Sequence, residues 1–226
     1  MTRISPLGLE MGIAQALGVV GIAGLALLGL LAANFLRDRG VDASVSRRVA
    51  AVLGGGAYLI AVLALDAWTA TALSGAIALL VLALRLRFRQ QLRGVSGAAG
   101  AERWGEIAYP LAGAASIAVG WGVLGDRWLA FVPIAFMAWG DNAAGFVRAR
   151  VPSALKRNPW ASATMLAACL SAATLYQPYW VGVAGALAAT AAEGFRPIGH
   201  PLWDDNWTIV AASLSVMALF STAGAQ

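Results

Sequence analysis

Eight apolar runs, at roughly 11–36, 48–65, 68–85, 107–124, 127–145, 161–176, 179–193 and 207–222, fill most of this 226-residue chain. An α-helix needs about 20 mostly apolar residues to cross a bilayer core. Inside that core only helices and closed barrels satisfy their own backbone polar groups. Composition agrees: 60% of residues are hydrophobic and 12% charged, against a charged share of roughly 25% in soluble domains. Too little polar surface remains to hydrate a soluble globule, and disordered and fibrous classes fall with it. The chain therefore reads as an all-α, polytopic integral membrane helix bundle of about eight transmembrane helices, seven being the alternative count. It forms one transmembrane domain, 1–226, with N-terminal helices in 1–100 and the polar motifs in 101–226. The shorter runs read as half-length or tilted helices. The first is too long for the apolar core of a secretion signal and reads as a retained span.

Orientation follows from the basic residues. Arg37, Arg39, Arg47 and Arg48 separate runs one and two, and Arg85, Arg87, Arg89, Arg93 and Arg103 separate three and four. Arg148, Arg150, Lys156 and Arg157 follow run five, and Arg196 follows run seven; only Arg3 and Arg127 lie elsewhere. Fourteen of the sixteen basic residues thus share one side, and the positive-inside rule makes that side cytoplasmic and puts the N-terminus outside. The expected setting is the plasma membrane of a prokaryote. The net charge of +5 then reflects topology rather than nucleic-acid binding. Trp68, Trp104, Trp128, Trp139, Trp160, Trp180 and Trp207 fall near run ends, where an interfacial belt is expected. Cys169 reads as a small buried side chain, Asp66 and Asp126 as loop residues, and the single His200 cannot build a histidine-rich zinc site.

Ionisable residues within apolar runs each need an explanation. Arg103 and Glu106 open run four in ERWGEIAYP, and Asp141 and Asn142 lie late in run five in MAWGDNAAGFVRAR. Glu193 closes run seven, and Asp204, Asp205 and Asn206 open run eight in WDDNWTIV. The topology carries all four groups to the cytoplasmic side. Carboxylates beside arginines suit a divalent cation together with a polyanion, because Mg2+ takes one or two carboxylates and completes its shell with water and phosphates. Arginine forks match phosphate oxygens. Simpler readings compete: Asp205 or Asn206 as a helix cap, an Arg103–Glu106 pair on one helical face, and a solvated interfacial Glu193.

The second half, from about residue 100 to 210, resembles the family of polyprenol and dolichol kinases, phytol kinases and CTP-dependent diacylglycerol kinases. That family carries an arginine–glycine–glutamate element before a tyrosine, similar here to Arg103-Trp104-Gly105-Glu106 with Tyr109. Its Gly-Asp-x-x-Ala helix resembles Gly140-Asp141-Asn142-Ala143-Ala144, and its basic Lys-Ser-x-x-Gly-Ser loop resembles Arg157-Asn158-Pro159-Trp160-Ala161-Ser162. Its final Glu before an Asp-Asn-x-Thr helix start is similar to Glu193 and Asp205-Asn206-Trp207-Thr208. Arg47-Arg48 resembles its early basic pair. The chain departs from the pattern at Arg148-Ala149-Arg150, where Gly-Arg is usual, and at Ala161, where glycine is usual.

The resemblance implies a membrane lipid kinase that moves the γ-phosphoryl of CTP, or another nucleoside triphosphate, to a lipid alcohol such as a polyprenol, dolichol or phytol. Such chemistry asks mainly for positioning and charge neutralisation. Asp141, Glu106 and Asp205 are the implied catalytic residues, with Asp141 and Asp205 also holding Mg2+. Arg103, Asn142, Arg148, Arg157, Ser162, Glu193, Asn206 and Thr208 are the implied nucleotide- and phosphate-binding residues. Glu106 or Glu193 would accept the alcohol proton. The partners are then the nucleotide, the lipid alcohol and the bilayer, with no nucleic acid and with homo-oligomerisation left open. Two alternatives stand beside this reading: a CTP-dependent cytidylyltransferase making a CDP-lipid, and a small multi-span transporter.

Overall fold

A computed structural model of the chain describes residues 6–87, 94–95, 104–153, 158–193 and 204–223. Among them every regular element is helical and no strand occurs. The elements are α1 (Pro6–Asp38), α2 (Ala43–Ala64), α3 (Ala67–Arg87), α4 (Gly105–Ser116), α5 (Arg127–Ala135), α6 (Asn142–Arg150), α7 (Pro159–Ala173), α8 (Tyr179–Glu193) and α9 (Asp205–Ala223). A π-helical stretch, Ile117–Val123, prolongs α4, and a second, Phe136–Asp141, fuses α5 to α6. Each apolar run of the sequence is thus one continuous rod. Four rods are long and apolar enough to cross a membrane: Gly12–Asp38, Ala43–Ala64, Ala67–Arg87 and Arg127–Arg150.

Local chemistry sets the rod ends. Asp42, Asp126 and Asn158 cap α2, α5 and α7 by accepting backbone N–H bonds from the first turn, and Asp66 does the same for Trp68 and Thr69 on α3. The turns after α1 and before α5 need a left-handed residue, supplied by Gly40 (φ 79°) and Gly125 (φ 77°). Contacts between rod ends gather the α1–α2, α3–α4, α6–α7 and α8–α9 junctions at one end of the bundle: Arg85 meets Glu106, Arg148 meets Glu193, Arg48 lies on Gly145, and Gly105 faces Asp204.

The α5–α6 rod is the axis. In its most apolar stretch 72% of residues are buried, against 17–28% for α1, α2 and α3. Phe131, Val132, Ile134, Phe136 and Met137 are wholly enclosed, packed by α2, α7 and α9. On α1, by contrast, Leu17, Val20, Leu27, Leu28 and Leu31 stay exposed, as expected of a helix whose solvent is lipid. Small residues let the axis close: a Cβ on Gly120 would stand 2.7 Å from Ala130 Cα, and one on Gly140 would meet Cys169 Sγ. Cys169 is buried, as its sequence context suggests.

The tryptophans near the run ends differ in their surroundings. Trp68, Trp160 and Trp180 are exposed, but Trp128, Trp139 and Trp207 pack against the core. The Trp139 indole lies against Gly55 of α2 and donates to Val52 O at 3.3 Å. A glycine on the neighbouring rod makes room that hydropathy does not report.

Candidate functional site

Asp141 ends the π-helical stretch, where backbone bonding departs from the α pattern as it often does at functional positions. Pro133 stands just upstream in the same rod and cannot donate to the turn before it. The rod then runs nine more residues to Arg150, so Asp141 lies about 14 Å short of its end at 1.5 Å per residue. The run expected to close near residue 145 is therefore longer. Arg148 projects back along the same face: its Nη2 donates to Asp141 Oδ1 at 3.1 Å, and its Nη1 is ion-paired with Glu193 Oε1 at the end of α8. Glu193 is buried, not solvated at the interface. Asn142 is also buried and turns its Nδ2 to Ala138 O at 2.8 Å within its own rod.

The start of α9 supplies the second group. Asp204, not Asp205, acts as its cap: Oδ1 accepts from Asn206 N at 3.0 Å and Oδ2 from Asn206 Nδ2 at 2.8 Å. Burial, then the neighbouring Asp205 carboxylate, push the Asp204 carboxyl up to about 7. Across from it lies Gly105, the first residue of α4. A Cβ there would come within 3.1 Å of Asp204 Oδ2 and 3.9 Å of Arg47 Nη1. Thr208 bonds Asp205 O at 3.1 Å within α9.

Glu106, one residue further along α4, is ion-paired with Arg85 from the end of α3, and both side chains are largely buried. Arg85 also lies over the Trp104 ring at 4.6 Å. The Glu106 partner among the described residues is thus Arg85; Arg103, its alternative partner in the simpler reading, lies outside the described residues, as do Arg157, Arg196 and His200. Ser162 sits in the first turn of α7 with its N–H on Asn158 O at 3.1 Å. Its loop partner Asn158 is a helix cap that also donates to Val151 O at 2.7 Å.

The α2 start closes the ring. Arg48 lies directly on Gly145 of α6, one turn beyond Asp141, its guanidinium 6.0 Å from the Phe146 ring. The Gly94 backbone is pinned beside it by Ser46 and Asn34, at 2.9 and 2.8 Å. One end of the bundle therefore brings together Asp141, Arg148 and Glu193, then Asp204, Asp205 and Asn206, with Glu106 and Arg85, and Arg47 and Arg48. Arg85, Asp204, Gly105 and Gly145 were not among the expected site residues. Asp204 adjoins Asp205 in the sequence, and Gly105 lies between Arg103 and Glu106 in the arginine–glycine–glutamate element.

Among the described residues no three His, Cys, Asp or Glu side chains gather closely enough to hold a metal ion unaided. Asp141 and Asp205 offer carboxylates from separate rods, the donor type of which Mg2+ takes one or two while water and phosphate oxygens complete its shell. No family model, no curated protein and no solved structure matches this chain.

Proposed function

We propose that the chain is a membrane lipid kinase, transferring the γ-phosphoryl of a nucleoside triphosphate, CTP by family resemblance, to a lipid alcohol. In this reading all eight rods span or enter the bilayer, the N-terminus is outside, and the charged end of the bundle faces the cytoplasm. One observation carries it: Asp141 is a part-buried carboxylate well inside an apolar rod, bonded to Arg148 of that rod, while Arg48 from α2 lies on Gly145 one turn further on. A transporter would be expected to place such groups between repeated halves, and the sequence carries no internal repeat to build them.

Asp141 and Asp205 would hold Mg2+, which when bound neutralises phosphate charge and orients the transferring group. Arg148, Arg48 and Arg47 would receive phosphate oxygens, together with Arg103 and Arg157 from the adjoining connections. Asn206 would orient the nucleotide, with Ser162 and Thr208. The alcohol would lie with its chain among the lipid-facing rods. Its O–H proton passes to Glu106, the oxygen bonds to the γ-phosphorus, and the bond to the β–γ bridging oxygen breaks, releasing the diphosphate.

The test is label transfer by purified protein in detergent, with Mg2+, γ-labelled CTP or ATP and a panel of lipid alcohols. Label in a lipid, lost in Asp141→Asn, is the expected result. Pyrophosphate and a CDP-lipid would instead establish cytidylyl transfer. No reaction by folded protein with any nucleotide would reject both enzymatic readings.

A further inference from the structure

Arg148 occupies an odd position for a phosphate ligand: both sides of its fork are already taken. Nη2 holds Asp141 and Nη1 holds Glu193, so one guanidinium links the α5–α6 rod to α8. The two carboxylates differ in their surroundings. The Glu193 side chain is 5% exposed and Asp141 18% exposed, and the Asp141 bond, at 3.1 Å, is an ordinary one. Asp141 is therefore the side of the bridge that water and solutes reach more readily.

We infer that Arg148 is an internal counter-ion that a divalent cation must displace from Asp141, and that Glu193 is the positioning residue keeping the displaced guanidinium in the site. This deepens the kinase reading and rests on it for the identity of the cation. In the ligand-free protein the Asp141 charge is neutralised from within, which limits the cost of a carboxylate in an apolar rod. A cation arriving at Asp141 takes over that neutralisation. The freed Nη2 then faces the site while Nη1 stays on Glu193, ready for an anionic phosphate oxygen. Cation and anion binding are thereby coupled, each relieving a cost to the other. Glu193 then contributes to anion binding through Arg148 rather than by touching the nucleotide.

The prediction is read with Mn2+ as the probe, followed by electron paramagnetic resonance on full-length protein in detergent, with no nucleotide and no turnover. Asp141→Asn should abolish the tight Mn2+ signal. Arg148→Gln should bind Mn2+ about tenfold more tightly than wild type, since the competitor is gone. Glu193→Gln should weaken Mn2+ binding several-fold by leaving Arg148 wholly to Asp141, and that effect should vanish in the Arg148→Gln background. Arg150→Gln is the control: Arg150 is exposed and bonds only weakly, to Phe146 O at 3.5 Å. Equal tightening in Arg150→Gln and Arg148→Gln would reduce the effect to net charge and overturn the inference. So would unchanged Mn2+ affinity in Arg148→Gln, or Mn2+ binding that ignores Asp141→Asn. Should Arg148→Gln fail to fold, Arg148→Lys must tighten Mn2+ partially, because a point charge cannot hold both carboxylates; no change would count against the inference. Mn2+ competition without phosphoryl transfer would reject the kinase reading alone.

Discussion

Asp141 and Arg148 stand seven residues apart on one rod and meet at 3.1 Å, two helical turns folding a charge back onto a carboxylate. The pair explains how an aspartate is tolerated so far inside an apolar helix. It also makes a clean test of role against structure. Asp141→Asn keeps the shape of the side chain and leaves Arg148 bound to Glu193, so the protein should still fold and insert. Phosphoryl transfer should fall by roughly 10²-fold or more, the scale set by losing one preorganised electrostatic group. Parallel measurement of kcat and of the thermal midpoint in detergent checks both halves; retained turnover would remove Asp141 from the mechanism.

Arg85 and Glu106 form the more enclosed pair. Removing one partner of a buried ion pair typically costs about 3–5 kcal/mol, whereas replacing both by apolar groups of similar volume is often neutral. Arg85→Met and Glu106→Leu singly should each lower the thermal midpoint strongly, and the double variant should recover most of the loss. Because Glu106 is also the proton acceptor in the kinase reading, the recovered double variant should fold yet stay inactive. A stable double variant with full activity would assign Glu106 to packing alone.

Much of this was legible in the chain. The eight apolar runs became eight rods because burial of a helix in lipid or core depends on average hydropathy, which sequence reports directly. The described members of the four polar groups meet at one end because the order of apolar runs and connections already fixes which rod ends lie on the same side. Pair choice was not legible. Glu106 meets Arg85, 21 residues away, because helix rotation and the packing of α3 on α4 decide the partner, and no local periodicity encodes that. The length of the rod beyond Asp141 is hidden for a related reason. Arg148 and Arg150 look like a span end, but a charge that pairs inward lets the rod continue. The π-helical stretches were signalled only by Pro133 and Pro110, and a proline inside an apolar run more commonly suggests a kink.

Two glycines separate site geometry from packing. A Cβ on Gly145 would meet first the guanidinium of Arg48, the end of a flexible side chain that can swing away. Gly145→Ala should therefore change stability by under about 1 kcal/mol, within the range of tolerated substitutions. It should nonetheless raise KM for the nucleotide several-fold, because the guanidinium is moved off its position over Gly145, one turn from Asp141. A Cβ on Gly120 would instead meet the Ala130 backbone, 2.7 Å from Cα and 2.8 Å from N. Backbone cannot swing, so Gly120→Ala should cost about 1–3 kcal/mol and leave the KM of surviving protein unchanged. Thermal scans and steady-state kinetics on the two variants should give opposite patterns; the same pattern in both would show that Arg48 does not serve the site.

Asp66 offers a pH test at the opposite end of the bundle, away from all proposed chemistry. Its Oδ1 accepts from Trp68 N and Thr69 N, both at 3.0 Å. Hydrogen bonding with Thr69, side chain first and backbone second, holds the carboxyl below the usual carboxylate range. A depressed folded-state pKa means that the ionised form stabilises the fold. The contribution is fully present above the unfolded value of about 3.9 and is lost as pH falls through the lower folded value. Asp66→Ala should lower stability by about 1 kcal/mol at neutral pH, the usual worth of a helix cap. The gap between wild type and variant should stay constant from pH 8 to 5, on the order of a unit above that reference value, and narrow in more acidic buffer. Thermal midpoints in detergent across that series give the answer: a gap that opens on acidification, or none at neutral pH, would show that the Asp66 carboxylate does not cap α3.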